Sequence, residues 1–483
     1  METLKEKTAK GLFWGGMNNG VQQLLGLAFG IILARLLDAS DYGMTAMLAI
    51  FSVIANELQS SGFKTGLINM KAPTHNDYNA VFWFNILAGA FIYLILFFCA
   101  PLIAVYFHQP KLIPLSRYVF LGFVFSSFGI AQSAYMTKQM QIKQIAKCGM
   151  TATLMSSMIS VILAALGFGY WALATQYLAY IAINTLLLWY FSEWRPTIRV
   201  TFEPIRRLFP FSFKIMVSAI FTQVNNYIMN LLLGHYYGET NTGHYNQAYL
   251  WSSKCFLLVG NMMRQVDQTV LVGLHDERER QLMVLRKMVR FTAFIAFPML
   301  FGLGLVSHEF IILAIGEKWT FSASLLPYLC LCGAFMPLTT LLTDAIISQH
   351  RSDIYLWSTM VLGILQVILL VGLWRQGIYT MVIAYTVLNI VWVFVWHFFT
   401  YRLMGYRLMA FLKDILPFAF TAAVVMVVTD FVTLSIENLW LLLLSRVVIA
   451  AVLYYCVMRI AGAVILKECL AFIKGKIVKR GNT

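Results

Sequence analysis

Apolar runs of about 20 residues recur from one end of this 483-residue chain to the other, and that is the helix length needed to cross about 30 Å of hydrocarbon. No water reaches the middle of a bilayer, so a crossing segment must satisfy its own peptide groups, as a helix or within a closed barrel. The runs are continuous rather than alternating, which selects helices. Only 12% of the residues are charged, about half the share of a soluble domain. The expected fold is therefore an all-α integral membrane protein with about 14 transmembrane helices. The spans are placed at 11–37, 42–67, 79–107, 113–137, 145–166, 170–191, 208–234, 242–274, 288–315, 322–348, 353–374, 378–401, 411–434 and 439–465.

The basic residues test this map. The formal charge is +15. Binding nucleic acid would need a contiguous basic face, whereas here the charges sit in short loops between apolar runs. With the N-terminus in the cytoplasm, 28 of the 36 Lys and Arg residues fall in cytoplasmic segments and 4 in outer ones. The other four, Arg117, Lys254, Arg264 and Arg446, lie within spans. That asymmetry is a strong positive-inside signal. One helix more or fewer would invert every later loop and destroy it. Fourteen spans and two cytoplasmic termini are thus expected together, in a multi-pass protein of the bacterial inner membrane. Lys5, Lys7 and Lys10 precede an apolar helix with no small-residue cleavage site, so the first run is read as a retained span.

The longer cytoplasmic connection 193–207 divides the chain into an N-terminal lobe, 1–192, and a C-terminal lobe, 208–403. Residues 404–483 add two helices and a basic tail. A shift of 200 residues lays Phe13 on Phe213 and Gln23 on Gln223, and lays the turn RLLDASDYG ending at Gly43 on HYYGETNTG ending at Gly243. Six spans separate the copies, so the repeat is parallel, about an axis along the membrane normal.

Polar groups at membrane depth face a cavity or one another. In span 8, Gln247, Lys254, Asn261, Gln265 and Gln268 recur at helical spacing on one face, flanked by Arg264 and Asp267. This stripe reads either as the cationic wall of a wet substrate path or as an interhelical seam in which Arg264 pairs with Asp267. Span 1 carries Asn18, Asn19, Gln22 and Gln23, and span 7 carries Gln223, Asn225, Asn226 and Asn230. Amides in both repeat copies point to a shared path, although amides also join helices. Glu57, midway along span 2, is a candidate for H⁺ or Na⁺ coupling, as is Asp267. Glu57 could equally neutralise Lys254 or Arg264. Arg117 and Arg446 lie near enough to the outer surface to snorkel.

There is no Gly-rich phosphate loop, no HExxH and no Cys/His metal spacing, and the seven cysteines read as small apolar residues. No metal or organic cofactor is expected. No loop is long enough for an extramembrane catalytic domain, which argues against a membrane-bound transferase acting on polyprenyl lipids. A transporter is expected, not an enzyme.

Several stretches carry a family resemblance. GLFWGGMNNGVQQLLGLAFGIILARLLDASDYG, ELQSSGFKTGLIN, YMTKQMQIKQIAK and HEFIILAIGEKWTFSASLLPYL resemble the Wzx-type polysaccharide flippases, especially the WzxC-like (colanic acid exporter) branch. The resemblance covers about the first 400 residues. It implies membership of the multidrug/oligosaccharidyl-lipid/polysaccharide exporter superfamily, with two six-helix lobes around a central cavity and two extra helices. It also implies movement of a polyprenyl-pyrophosphate-linked oligosaccharide to the outer leaflet, beside polysaccharide polymerase and assembly partners. The excess of Lys and Arg over acids within spans argues against the superfamily's other activity, cation-coupled drug export. A scaffold in an assembly complex is a further alternative.

Overall fold

The computed structural model describes residues 4–60, 63–198, 203–273 and 277–468; the side chains of 4–19, 59–60, 204, 207–215, 217–218 and 264–273 are outside that description. The described residues are helical, with no strand among them. In chain order the helices are α1 (Leu4–Leu36), α2 (Ala39–Ser60), α3 (Phe63–Asn69), α4 (His75–Tyr106), α5 (Leu112–Ser127), α6 (Ile130–Lys138), α7 (Ile142–Ala165), α8 (Tyr170–Phe191) and α9 (Glu203–Gly273). There follow α10 (Arg278–Leu305), α11 (Ser307–Ile315), α12 (Thr320–Ser348), α13 (Ser352–Leu373), α14 (Ile378–Met404), α15 (Leu408–Thr433) and α16 (Leu439–Ile460).

Every predicted span overlaps described helix. Nine helical segments among the described residues are long and apolar enough to cross a membrane, or ten if α5 and α6 form one bent span. The chain is a multi-pass membrane protein. Large apolar side chains such as Leu24, Phe98, Phe420 and Phe431 are exposed on the protein surface, as lipid-facing positions must be.

The structure departs from the sequence map where helices break. Span 113–137 bends by 42° between α5 and α6. There Ser126 and Ser127 turn their hydroxyls onto the carbonyls of Phe123 and Val124, at 3.2 and 2.6 Å, and open the backbone ladder. Span 288–315 is divided between α10 and α11. The end of α3 is held from outside: Lys138 Nζ donates to the carbonyls of Ile68 and Met70, at 2.8 and 2.5 Å. A cation on orphan C-terminal carbonyls both satisfies them and opposes the helix dipole.

Spans 7 and 8 are two helices that meet within α9 at Gly238, where the backbone leaves helical geometry, at φ 76° and ψ −177°. Glycine takes that φ without a Cβ penalty. Asn241 Nδ2 and Thr242 Oγ1 donate to the carbonyls of Tyr237 and Gly238, at 2.9 and 2.8 Å, so the kink leaves these groups bonded. Two hundred residues earlier, α1 ends at Leu36 and α2 starts at Ala39. The two breaks are equivalent under the repeat.

The chain divides into two compact units, Met1–Asn246 and Gln247–Thr483. The first half of α9 groups with the first unit through close contacts. A Cβ on Gly234 would lie 2.7 Å from the Phe107 ring and 2.9 Å from Met47 Cγ. The first unit's core includes Met47, Leu48, Phe107, Leu112, Phe120 and Phe123. In the second unit, Leu285, Val289, Ala293, Phe297 and Leu300 bury one face of α10, at the four- and three-residue spacing of a packed helix.

At the start of α4, Thr74 Oγ1 accepts from the Asp77 amide and Asp77 Oδ2 accepts from the Thr74 amide at 2.8 Å, a reciprocal capping box. Thr74→Ala is expected to cost about 1 kcal/mol. Hydrogen exchange at the Asp77 and Tyr78 amides should accelerate while exchange at α12 stays unchanged.

Candidate functional site

The tightest backbone approach in the first unit joins the two repeat copies. A Cβ on Gly43 would fall 1.7 Å from the Glu239 carbonyl oxygen, and one on Gly243 would fall 1.7 Å from the Ala39 carbonyl oxygen. Residues 39 and 239 are equivalent under the 200-residue shift, as are 43 and 243. The contact is therefore reciprocal: the N-terminal turn of α2 and the segment after the kink in α9 cross backbone against backbone. Only glycine fits at either position.

The first unit's candidate polar residues lie further along α1, α2 and α9, away from this crossing. Gln223 Nε2 donates to Glu57 Oε1 at 3.2 Å, bringing the amide of α9 to the intramembrane carboxyl of α2. Asn230 Nδ2 donates to Asn246 Oδ1 at 3.4 Å, and both Asn225 and Asn230 are buried. Gln23 and Asn226 are exposed. The amides therefore split into two kinds: Asn225 and Asn230 are buried, whereas Gln23 and Asn226 are exposed. The Asn19 side chain lies outside the described residues. A cavity of about 320 Å³ opens between α2, α5, α8 and α9, lined by Thr45, Ser52, Asn56, Tyr177 and Tyr227 among apolar groups.

In the second unit, burial falls along the stripe of α9. Gln247 is buried, Lys254 half-buried and Asn261 exposed. Lys254 Nζ sits 4.4 Å from the centre of the Trp251 ring, and Trp251 packs edge-on to Phe310. No described carboxylate lies within ion-pairing distance of Lys254. Two residues before it, the Ser252 hydroxyl donates to the Leu329 carbonyl at 2.9 Å, and its Oγ lies 2.8 Å from where a Gly333 Cβ would stand. The side chains of Arg264, Gln265, Asp267 and Gln268 lie outside the described residues.

The two other described cations within spans, Arg117 and Arg446, have partners. Arg117 stacks on Phe97 at 4.1 Å and donates to its carbonyl. Arg446 of α16 pairs with Glu309 of α11 at 2.8 Å and with Asp430 of α15, and it also bonds Thr433 and the Leu305 carbonyl. Sequence reasoning left Arg446 to snorkel and did not name Glu309, which lies 137 residues away with no pattern linking the two. It also missed a cluster on α10 and α15. Asp414 accepts from Arg286 Nε at 2.8 Å and from the Tyr406 hydroxyl at 2.8 Å, and Arg290 Nε stands at ion-pairing distance, 3.0 Å. Burial, followed by the neighbouring carboxylate, pushes the Tyr406 hydroxyl above its usual range and keeps it a donor.

A family model described as "Polysaccharide biosynthesis protein" matches residues 32–324. The lipopolysaccharide biosynthesis protein WzxC of Escherichia coli (strain K12) is 26% identical over 358 residues, 73% of this chain and 72% of that one. The teichuronic acid biosynthesis protein TuaB of Bacillus subtilis (strain 168) is 22% identical over 453 residues, 91% of each chain. A solved structure of the lipid II flippase MurJ, in an inward closed conformation, superposes with a TM-score of 0.74 at 13% identity, covering 95% of this chain and 100% of that one.

Gly43→Ala and Gly243→Ala should each cost about 1–3 kcal/mol, because a methyl group must displace backbone. Gly260, with nothing within 4 Å of a Cβ, is the control: Gly260→Ala should leave the melting temperature in detergent unchanged. Arg446→Met strands the buried Glu309 carboxylate and should cost about 3–5 kcal/mol. The double variant Arg446→Met/Glu309→Gln should recover much of that loss, and unfolding titrations in mixed micelles would measure both.

Proposed function

The chain belongs to the polysaccharide biosynthesis protein family, and from that membership we infer that it carries a polyprenyl-diphosphate-linked oligosaccharide repeat unit from the cytoplasmic to the outer leaflet of the bacterial inner membrane. It is a transporter, not an enzyme. The carrying observation is the state of Lys254: a half-buried cation inside a span, resting on an indole face, with no carboxylate partner among the described residues. A charge at membrane depth is costly, and it persists where a structure or a ligand compensates it. Arg446, fixed by two carboxylates, is compensated within the protein. Lys254 is supplied with a counter-charge when an anion arrives, and a diphosphate offers two.

The exposed amides Gln23 and Asn226 fit the same substrate. Sugar hydroxyls both donate and accept, and an amide does likewise. Glu57, bonded to Gln223, is the group we assign to H⁺ or Na⁺ coupling, with Asp267 as the other candidate. Both termini lie in the cytoplasm, as the distribution of Lys and Arg supports. The product leaves toward a polysaccharide polymerase in the outer half of the pathway. Acid-lined, aromatic capture of cationic drugs fits this charge pattern poorly.

Lys254→Ala and Arg264→Ala should each abolish export while leaving protein in the membrane at near-normal amounts. Leaflet-specific labelling of lipid-linked oligosaccharide, in a strain lacking this protein and any redundant flippase, is the measurement. Build-up in the cytoplasmic leaflet that wild type relieves and the variants do not is the expected result. Undiminished outer-leaflet delivery without the protein would overturn the flippase reading.

A further inference from the structure

We propose that Arg286 and Arg290 of α10 form a binding site for a phosphate group carried by a lipid of the cytoplasmic leaflet. The two guanidiniums lie one helical turn apart and share a single carboxylate. Asp414 Oδ2 and Oδ1 accept from Arg286 Nε and Nη2 at 2.8 and 3.2 Å, and Arg290 Nε lies 3.0 Å from Oδ1. Tyr406 donates to the same carboxylate at 2.8 Å, which fixes it further. The Asp414 side chain is 5% exposed, whereas those of Arg286 and Arg290 are 34% and 36% exposed. The cluster therefore carries one uncompensated positive charge on its open side.

The donor count makes the same point. A guanidinium has five N–H donors. No described group accepts from Arg286 Nη1 or from either terminal nitrogen of Arg290. Two hydrogen bonds to Asp414 fix the direction of Arg286, and Arg290 stands one turn on with its charge on the same carboxylate and its donors unspent, so a phosphate would meet a partly preorganised pair of guanidiniums. A cluster that served only to tie α10 to α15 would need one guanidinium per carboxylate; here there are two.

The surroundings select a lipid as the bearer. Leu408, Met409 and Leu416 on α15, which bracket Asp414, are all about half exposed or more. Exposed apolar side chains around a basic pair describe the headgroup level of a bilayer, where chains and phosphates meet. The charge count assigns this end of α10 to the cytoplasmic side.

The experiment is thermal unfolding of the purified full-length protein in neutral detergent at constant ionic strength, with three probes: dioctanoyl phosphatidylglycerol, farnesyl diphosphate and inorganic diphosphate. Wild type should be stabilised by a lipid-borne phosphate, by about 3 °C or more at saturation. Arg290→Gln should melt at its own normal temperature, since Arg286 keeps its two-point hold on Asp414, and should lose that response. Arg351→Gln, which removes an exposed arginine already paired with Asp353, should retain it. Response to phosphatidylglycerol alone would identify a bulk phospholipid as the occupant, and response to farnesyl diphosphate alone an isoprenoid diphosphate. No response in wild type, an undiminished response in Arg290→Gln, an equal loss in Arg351→Gln, or a response to inorganic diphosphate only would each overturn the proposal. The measurement involves no transport, so its failure leaves the flippase reading untouched.

Discussion

Inside a bilayer no solvent repairs an unmade hydrogen bond, and the rest of this structure follows from that constraint. The chain is helical because only helices close their own peptide groups within a single span. Where helices stop or bend at depth, another group takes over the freed carbonyls: Asn241 and Thr242 at the Gly238 kink, Ser126 and Ser127 at the α5–α6 bend, Lys138 at the end of α3. Charges obey the same rule. Arg446 crosses from α16 to acids on α11 and α15 and so ties the extra C-terminal pair of helices to the body of the second unit.

The repeat acquires a physical meaning at the Gly43 and Gly243 crossing. Few identities relate the two copies in sequence, and the turn pattern ending in glycine is the clearest of them. In the structure each glycine seats the carbonyl of the other copy's helix start, Glu239 and Ala39. A pseudo-symmetric pair of backbone contacts of this kind has no side chains to relax, so any residue larger than glycine at either position must displace backbone.

The architecture was largely legible in the sequence because its signal is additive: hydropathy sums over 20 residues, and basic residues sum over whole loops. The resemblance to Wzx-type flippases rested on stretches that the structure now explains as packing. Trp319 in HEFIILAIGEKWTFSASLLPYL is fully buried, Glu309 in the same stretch holds Arg446, and Lys138 in YMTKQMQIKQIAK holds α3. What remained hidden were pairs whose partners lie far apart in the chain, Arg286 with Asp414 over 128 residues and Arg446 with Glu309 over 137. No periodicity encodes such a contact; it exists only once helices pack. Helix breaks were missed for the opposite reason, since one glycine or two serines hardly change the mean hydropathy of a span.

The candidate path was legible as a stripe of polar residues but not in its division of labour. Buried amides such as Asn230 read the same in sequence as the exposed Asn226, four residues away on the same helix, and only packing separates them. Lys254 and Arg446 are likewise both cations within apolar runs. Their environments differ in kind. A guanidinium with two carboxylates is a finished interaction, and a change of partner would cost the protein its fold. An ammonium lying on an indole is held weakly, by about 0.5–2 kcal/mol, whereas Arg446 is fixed by two acids and by Thr433 and the Leu305 carbonyl, so the same charge in the same kind of run can be bound tightly or loosely depending on what packs beside it.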